Sequence, residues 1–265
     1  MKIACSMSAF KGSIDNALER IRAMGFEYVD LIAIPGWDLV DPQALAERFE
    51  ETAGALEESL RKSGLTPVAI NAAVPTLYQR DDQETNRQRL AQVAGICRLM
   101  QTLHIPVASF FPGGNWPAQE MDWDKVLEGQ VETLREMLDL GTRYGVTLTV
   151  EPHANTPFQT LEQVTGLLEA VPELRVAYDP SHFAMQSIAP EQTAGILARA
   201  AHVHVRDAGP GKMQHAVGEG TVDFEWILNS LRQQGYEGAV SIEYLPGMEA
   251  EIPRMKELLE REGNY

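Results

Sequence analysis

The sequence predicts an α/β fold, a (β/α)8 barrel formed by residues 1–265 as a single domain. Short apolar runs rich in β-branched residues alternate along the whole chain with longer segments of helical period. The alternation occurs eight times, and 265 residues shared among eight pairs give about 33 each, the size of a strand-helix unit. No glycine-rich dinucleotide fingerprint follows the first run, which leaves an open doubly wound sheet as the weaker alternative.

Each pair has its own signals. Lys2 to Ser8 reads as the first strand, followed by a helix that Ser13 can cap and Gly25 can end. Tyr28 to Ile34 is the second strand, and an acidic helix from Gln43 to Ser63 stops at Gly64. Thr66 to Val74, Glu84 to Leu103, Val107 to Phe111 and Asp124 to Tyr144 supply strand three, helix three, strand four and helix four, the last closed by Gly145. The second half repeats the rhythm. Strands Thr147 to Glu151, Arg175 to Asp179, His202 to Arg206 and Ala239 to Tyr244 alternate with helices at Thr160 to Ala170, Pro190 to Ala200, Asp223 to Gln234 and Ala250 to Glu260.

Composition narrows the function. With 22 Lys and Arg against 38 Asp and Glu, the formal net charge is −16, which opposes partners held through phosphate, namely nucleic acid and anionic membranes. The two cysteines, Cys5 and Cys97, make neither a disulfide framework nor a zinc knuckle. With no signal-peptide pattern and no apolar run long enough to span a bilayer, the protein is read as cytoplasmic.

In a barrel of this kind the active site lies at the C-terminal strand ends. Strand five ends in Glu151, strand six in Asp179 and strand eight in Glu243, and strand seven carries His202, His204 and Arg206 on one face. Three carboxylates and an imidazole converging on one point suit Mn2+, Mg2+, Co2+ or Zn2+, since no thiolate is offered. Without a cation such carboxylates would repel one another. A proton removed beside a carbonyl leaves an enediolate that a metal can stabilise, and Glu151 and Glu243 are the expected catalytic acid and base.

Glu151-Pro152-His153, Asp179-Pro180-Ser181-His182, His202-Val203-His204 with Asp207, Gly218 to Phe224 and Ser241-Ile242-Glu243-Tyr244 resemble the signature segments of the sugar phosphate isomerase/epimerase family, the xylose isomerase-like TIM barrels. The resemblance implies one divalent metal, manganese first, held by Glu151, Asp179, His204 and Glu243. It implies that His182 and Arg206 touch substrate oxygens and that the partner is a small sugar or keto-sugar, in a dimer or tetramer. His153 joins the substrate-binding candidates if the strand continues through Pro152. The ketose 3-epimerase branch carries a further glutamate soon after its first ligand, whereas this chain has no acid between Glu151 and Glu162. The expected activity is therefore metal-dependent isomerisation or epimerisation, with dehydration of a keto-inositol or oxidised sugar as the alternative.

Other readings stay open at individual residues. Arg206 fits a rim ion pair with Asp207 or Glu219 as well as substrate contact, and His182 fits a partner that orients a carboxylate. His202 reads as a satisfied core residue. The loop from Ala208 to Val217 reads as a lid, and the segment from Gly218 to Phe224 reads as a tight turn capped by Asp223 rather than a phosphate site. Trp37, Phe111 and Trp116 are candidates for an apolar wall against a sugar ring. A phosphodiesterase of the apurinic-endonuclease branch would need further ligands on strands one to four, which the sequence reading does not find there; a non-catalytic barrel would have no need of both glutamates.

Overall fold

The computed structural model describes residues 1–37, 39–75, 83–113 and 122–263. Eight parallel strands close into a barrel in chain order: β1 (Lys2–Ser6), β2 (Tyr28–Ala33), β3 (Thr66–Ala72), β4 (Val107–Phe110), β5 (Thr147–Val150), β6 (Arg175–Tyr178), β7 (Ala200–Val205) and β8 (Ala239–Ile242). Closure pairs β8 with β1, Ala239 opposite Lys2 and Ser241 opposite Ala4. Around the strands lie α1 (Ile14–Ala23), α2 (Pro42–Glu47), α3 (Phe49–Ser63), α4 (Gln83–Leu103), α5 (Trp123–Tyr144), α6 (Leu161–Ala170), α7 (Ser181–Ala184), α8 (Ala194–Leu197), α9 (Phe224–Gln233) and α10 (Glu251–Gly263). Among the described residues no helix is long and apolar enough to cross a membrane.

Local chemistry sets the boundaries. Ser13 accepts from the Asn16 N–H to start α1, and Thr160 with Gln163 forms a capping box at α6. Gly64 and Gly145 end α3 and α5 in the left-handed region, where a Cβ would strain the backbone.

Two helices differ from the sequence reading. The segment from 43 to 63 is two helices, because Arg48 leaves the helical region with φ −136° and ψ 52°. The break lets α2 press on α4, where a Cβ at Gly95 would stand only 3.0 Å from the Leu45 carbonyl carbon. Arg98 of α4 stacks 3.8 Å over the Phe49 ring and pairs with Glu50, pinning the start of α3. The segment from 190 to 200 is a 3-10 turn, Pro190–Thr193, running into the short α8, with Ala200 already in β7. Here Thr193 Oγ1 donates to the Pro190 carbonyl and meets the Tyr178 hydroxyl at 2.8 Å, tying the turn to β6.

The segment read as a lid folds through a short hairpin. Gly209 and Lys212 exchange backbone hydrogen bonds of 3.0 and 2.9 Å, His215 N–H donates to the Asp207 carbonyl at 2.7 Å, and Gly211 N–H donates to the Met185 carbonyl at 2.8 Å. Asp223 caps α9 through the Trp226 N–H, as the sequence reading expects.

Candidate active site

The strand ends fix the acids before any side chain is considered. β5 stops at Val150, yet Glu151 N–H still bonds to the Phe110 carbonyl at 3.2 Å, and Glu243 N–H bonds to that of Val205 at 2.9 Å. Each carboxylate therefore leaves a backbone held by the neighbouring strand. Asp179 is locked differently: its Oδ1 accepts the Ser181 N–H at 2.8 Å, as β6 turns into α7.

All four expected metal ligands are buried in this one place. His204 Nδ1 lies 3.0 Å from Glu151 Oε1 and 3.4 Å from Glu243 Oε2, and potential ligand atoms of these three residues lie within 4.8 Å of one another. Asp179 is part of a second such group with Glu151 and His182, so Glu151 is common to both.

Arg206 is not a rim residue. It is 2 % exposed, and all five of its N–H groups have protein acceptors. Nε donates to Ser181 Oγ at 2.9 Å. Nη1 donates to the Glu243 carbonyl at 2.8 Å and to its Oε2 at 3.3 Å, and Nη2 reaches Asp179 Oδ2 at 2.7 Å and His182 Nε2 at 3.2 Å. Asp207, one of the rim partners considered for it, instead accepts from the N–H groups of Ala208, Gly218 and Gly220 at 2.9, 2.8 and 3.0 Å. A Cβ at Gly220 would collide with that carboxylate, so the glycine is required by the turn.

The earlier strands are not bare, as the sequence reading had them. Asp30 of β2 is buried, and its Oδ2 accepts from His202 Nε2 at 2.8 Å and His204 Nε2 at 2.9 Å. Asn71 of β3 donates from Nδ2 to Glu243 Oε1 at 2.8 Å. A lone acid in the apolar run from Tyr28 to Ala33 was the available signal for Asp30. His202, read as a satisfied core residue, has one nitrogen on Asp30, while its Nδ1 has no hydrogen-bond partner.

The electrostatics divide the acids. Burial pushes the Glu243 carboxyl up to about 7, with help from Glu151 and Asp179 and against His204 and Arg206. Burial also acts upward on Glu151, but His204, His153 and Arg206 outweigh it and hold that carboxyl below its ordinary value. Against the cost of burial, the Glu243, Glu151 and Asp30 carboxylates push the His204 imidazole well above its usual range. Its positive charge at Nδ1 thus sits between two carboxylates, where a cation's charge would serve equally. Three carboxylates against one guanidinium leave a formal charge of −2, and the O, O, O, N donor set fits a hard or borderline dication.

Burial drives the His182 and His153 imidazoles below the usual range, so both are neutral. Their rings lie 3.7 Å apart, and Phe111 meets His153 edge-on at 4.8 Å. His153 does not continue the strand; its Nδ1 lies 2.7 Å from the Ala154 carbonyl oxygen. Glu151, His153, Arg206 and Glu243 line a cavity of about 310 Å³ together with Asn71, Trp37, Phe111, Ile34, Met213 and Leu245. Trp37 and Phe111 thus supply part of the apolar wall, and Trp116 lies outside the described residues.

Residues 18–261 match the model of the xylose isomerase-like TIM barrel family. The chain belongs to that family. Among curated relatives of this xylose isomerase-like barrel is the inosose isomerase of Halalkalibacterium halodurans, 21% identical over an alignment of 243 positions that covers 85% of this chain and 80% of the relative. The 3-keto-D-glucoside 4-epimerase of E. coli has the same fold, with a TM-score of 0.75 and 18% identity over the whole of both chains. So does the IOLI protein with a bound zinc atom, with a TM-score of 0.76 and 19% identity over 100% of this chain and 99% of that one.

Proposed function

We propose that this xylose isomerase-like barrel is a divalent-metal-dependent isomerase or epimerase that moves a proton on a sugar or keto-sugar, at a carbon next to a carbonyl. The observation that carries the reading is the pair Glu151 and Glu243, two buried carboxyls with potential ligand atoms within 4.8 Å of each other and of His204. Two carboxylates placed on either side of one substrate carbon can take a proton from one face and return it to the other. Glu151 and Glu243 take these two roles, one accepting the substrate proton at a carboxylate oxygen and the other handing one back.

Glu151, Asp179, His204 and Glu243 would hold the metal, which supplies a Lewis acid for the charge that develops on the substrate's oxygens. Arg206 keeps Asp179 and Glu243 in place. The neutral His153 and His182 rings stand beside the acids without adding charge, and Trp37 and Phe111 seat the apolar face of a sugar ring and exclude water. The inosose isomerase and 3-keto-glucoside epimerase among the similar proteins support a cyclic polyol ketone or keto-sugar as the substrate class.

The test is solvent exchange. Incubated in D2O with Mn2+ or Zn2+ and a panel of ketoses and keto-sugars, the protein should place deuterium beside the carbonyl of at least one, and a chelator should stop it. Absence of exchange across the panel with metal bound would overturn the reading.

A further inference from the structure

A third convergent group, Asp30, His202 and His204, lies beneath the acids and takes no part in the proton transfer proposed above. Asp30 is fully buried, and one of its oxygens, Oδ2, meets both imidazoles, 2.8 Å from His202 Nε2 and 2.9 Å from His204 Nε2. The two rings stand perpendicular with centroids 4.7 Å apart, so each approaches that oxygen along its own edge. A carboxylate oxygen only accepts, and two nitrogens can share it only if each carries its proton on Nε2. The opposite edge of the His204 ring then faces Glu151 Oε1, with Nδ1 3.0 Å away.

We propose that Asp30 is a positioning residue: it keeps the His204 proton on Nε2, so that Nδ1 is the nitrogen offered to a cation between Glu151 and Glu243, while His202 holds the same Asp30 oxygen with a second N–H. The inference rests on the metal reading above and adds to it the nitrogen used and the residue that selects it. Imidazole ligands commonly give their other N–H to a carboxylate, which fixes ring orientation and tautomer. Here that carboxylate comes from β2, across the barrel from β7.

The experiment uses 15N-histidine-labelled protein, read by NMR with chelator at alkaline pH and again with Zn2+, alongside calorimetric titration of Zn2+ into wild type and Asp30→Ala. Alanine accepts neither N–H group, whereas an asparagine oxygen in the place of Oδ2 could still accept both. The wild type should show the His204 proton on Nε2 in both states and zinc on Nδ1. Asp30→Ala should lose that preference and bind Zn2+ about 10–100-fold more weakly. A wild-type proton on Nδ1, or zinc on Nε2, overturns the proposal even if the variant does not fold. So does a folded Asp30→Ala with unchanged tautomer and affinity. A wild type that takes up no zinc overturns the metal reading instead, and the tautomer with chelator still decides whether Asp30 sets the ring.

Discussion

Arg206 Nη2 donates to Asp179 Oδ2 at 2.7 Å, from a guanidinium that also holds Glu243 through both its carbonyl and its side chain. One buried cation therefore orients two acids on strands either side of its own. Removing it in Arg206→Ala leaves Asp179 without its ion-pair partner, and the folded state should lose about 3–5 kcal/mol, measured by urea unfolding. Arg206→Lys keeps the charge but cannot reproduce the planar fork, so it should recover only part of that loss. Wild-type stability in Arg206→Ala would refute the clamp.

Glu151→Gln and Glu243→Gln each remove an ionisable group at almost constant shape. Both variants should keep the wild-type circular dichroism and lose about 10²–10⁴-fold in kcat on whichever substrate the exchange assay identifies. Near-normal turnover in either would remove that residue from the proton transfer.

The buried Glu243 carboxyl, raised to about 7, makes stability depend on pH. Between its ordinary value and 7 the folded state binds more protons at this group than the unfolded state, so stability falls as pH rises through that window. The contribution is on the order of 3 kcal/mol, read as a shift in the urea midpoint with chelator present. Saturating Zn2+ favours the ionised form and should flatten the slope. An equal slope with and without Zn2+ would contradict the assignment of Glu243 as a ligand.

His204 leads to a second linkage. With its imidazole well above the usual range, a metal taking Nδ1 must displace a proton near neutral pH. Zinc titrations in buffers of different ionisation enthalpy should show proton release, and the affinity should strengthen as pH rises. Uptake without proton release would place the metal elsewhere.

Trp37 and Phe111 line the cavity without touching the acids by hydrogen bonds. Truncating either to alanine removes binding that ground state and transition state share, so KM should rise several-fold with a smaller change in kcat. A selective collapse of kcat would instead give the aromatic wall a part in alignment.

The barrel was legible because each strand-helix pair carries its own period and stop, and Gly64 and Gly145 end helices where the sequence places them. The break at Arg48 was not, since it depends on how closely α2 meets Gly95 of α4. At the site, strand ends and alternation pick out Glu151, Asp179 and Glu243 and place His202, His204 and Arg206 on one face, and the family resemblance singles out His204 as the ligand among them. Asp30 offered only its place as a lone acid in an apolar run and Asn71 offered no signal, because each lies 172 residues from the group it contacts, His202 and Glu243 respectively, and only barrel closure brings them together. Arg206 was found but its environment was not, since the number of acceptors around a guanidinium is a property of the packed interior.

Placing Asp30 and Asn71 on β2 and β3 divides the site unevenly between the two halves of the chain. A fragment from β5 to β8 would carry all four mouth ligands and every strand-end signature, yet its His204 would lack a carboxylate on Nε2 and its Glu243 would lack an amide on Oε1. Transplanting those signatures onto another half-barrel would therefore need an acid and an amide from the receiving scaffold at the same depth, which gives a design rule for grafting this site.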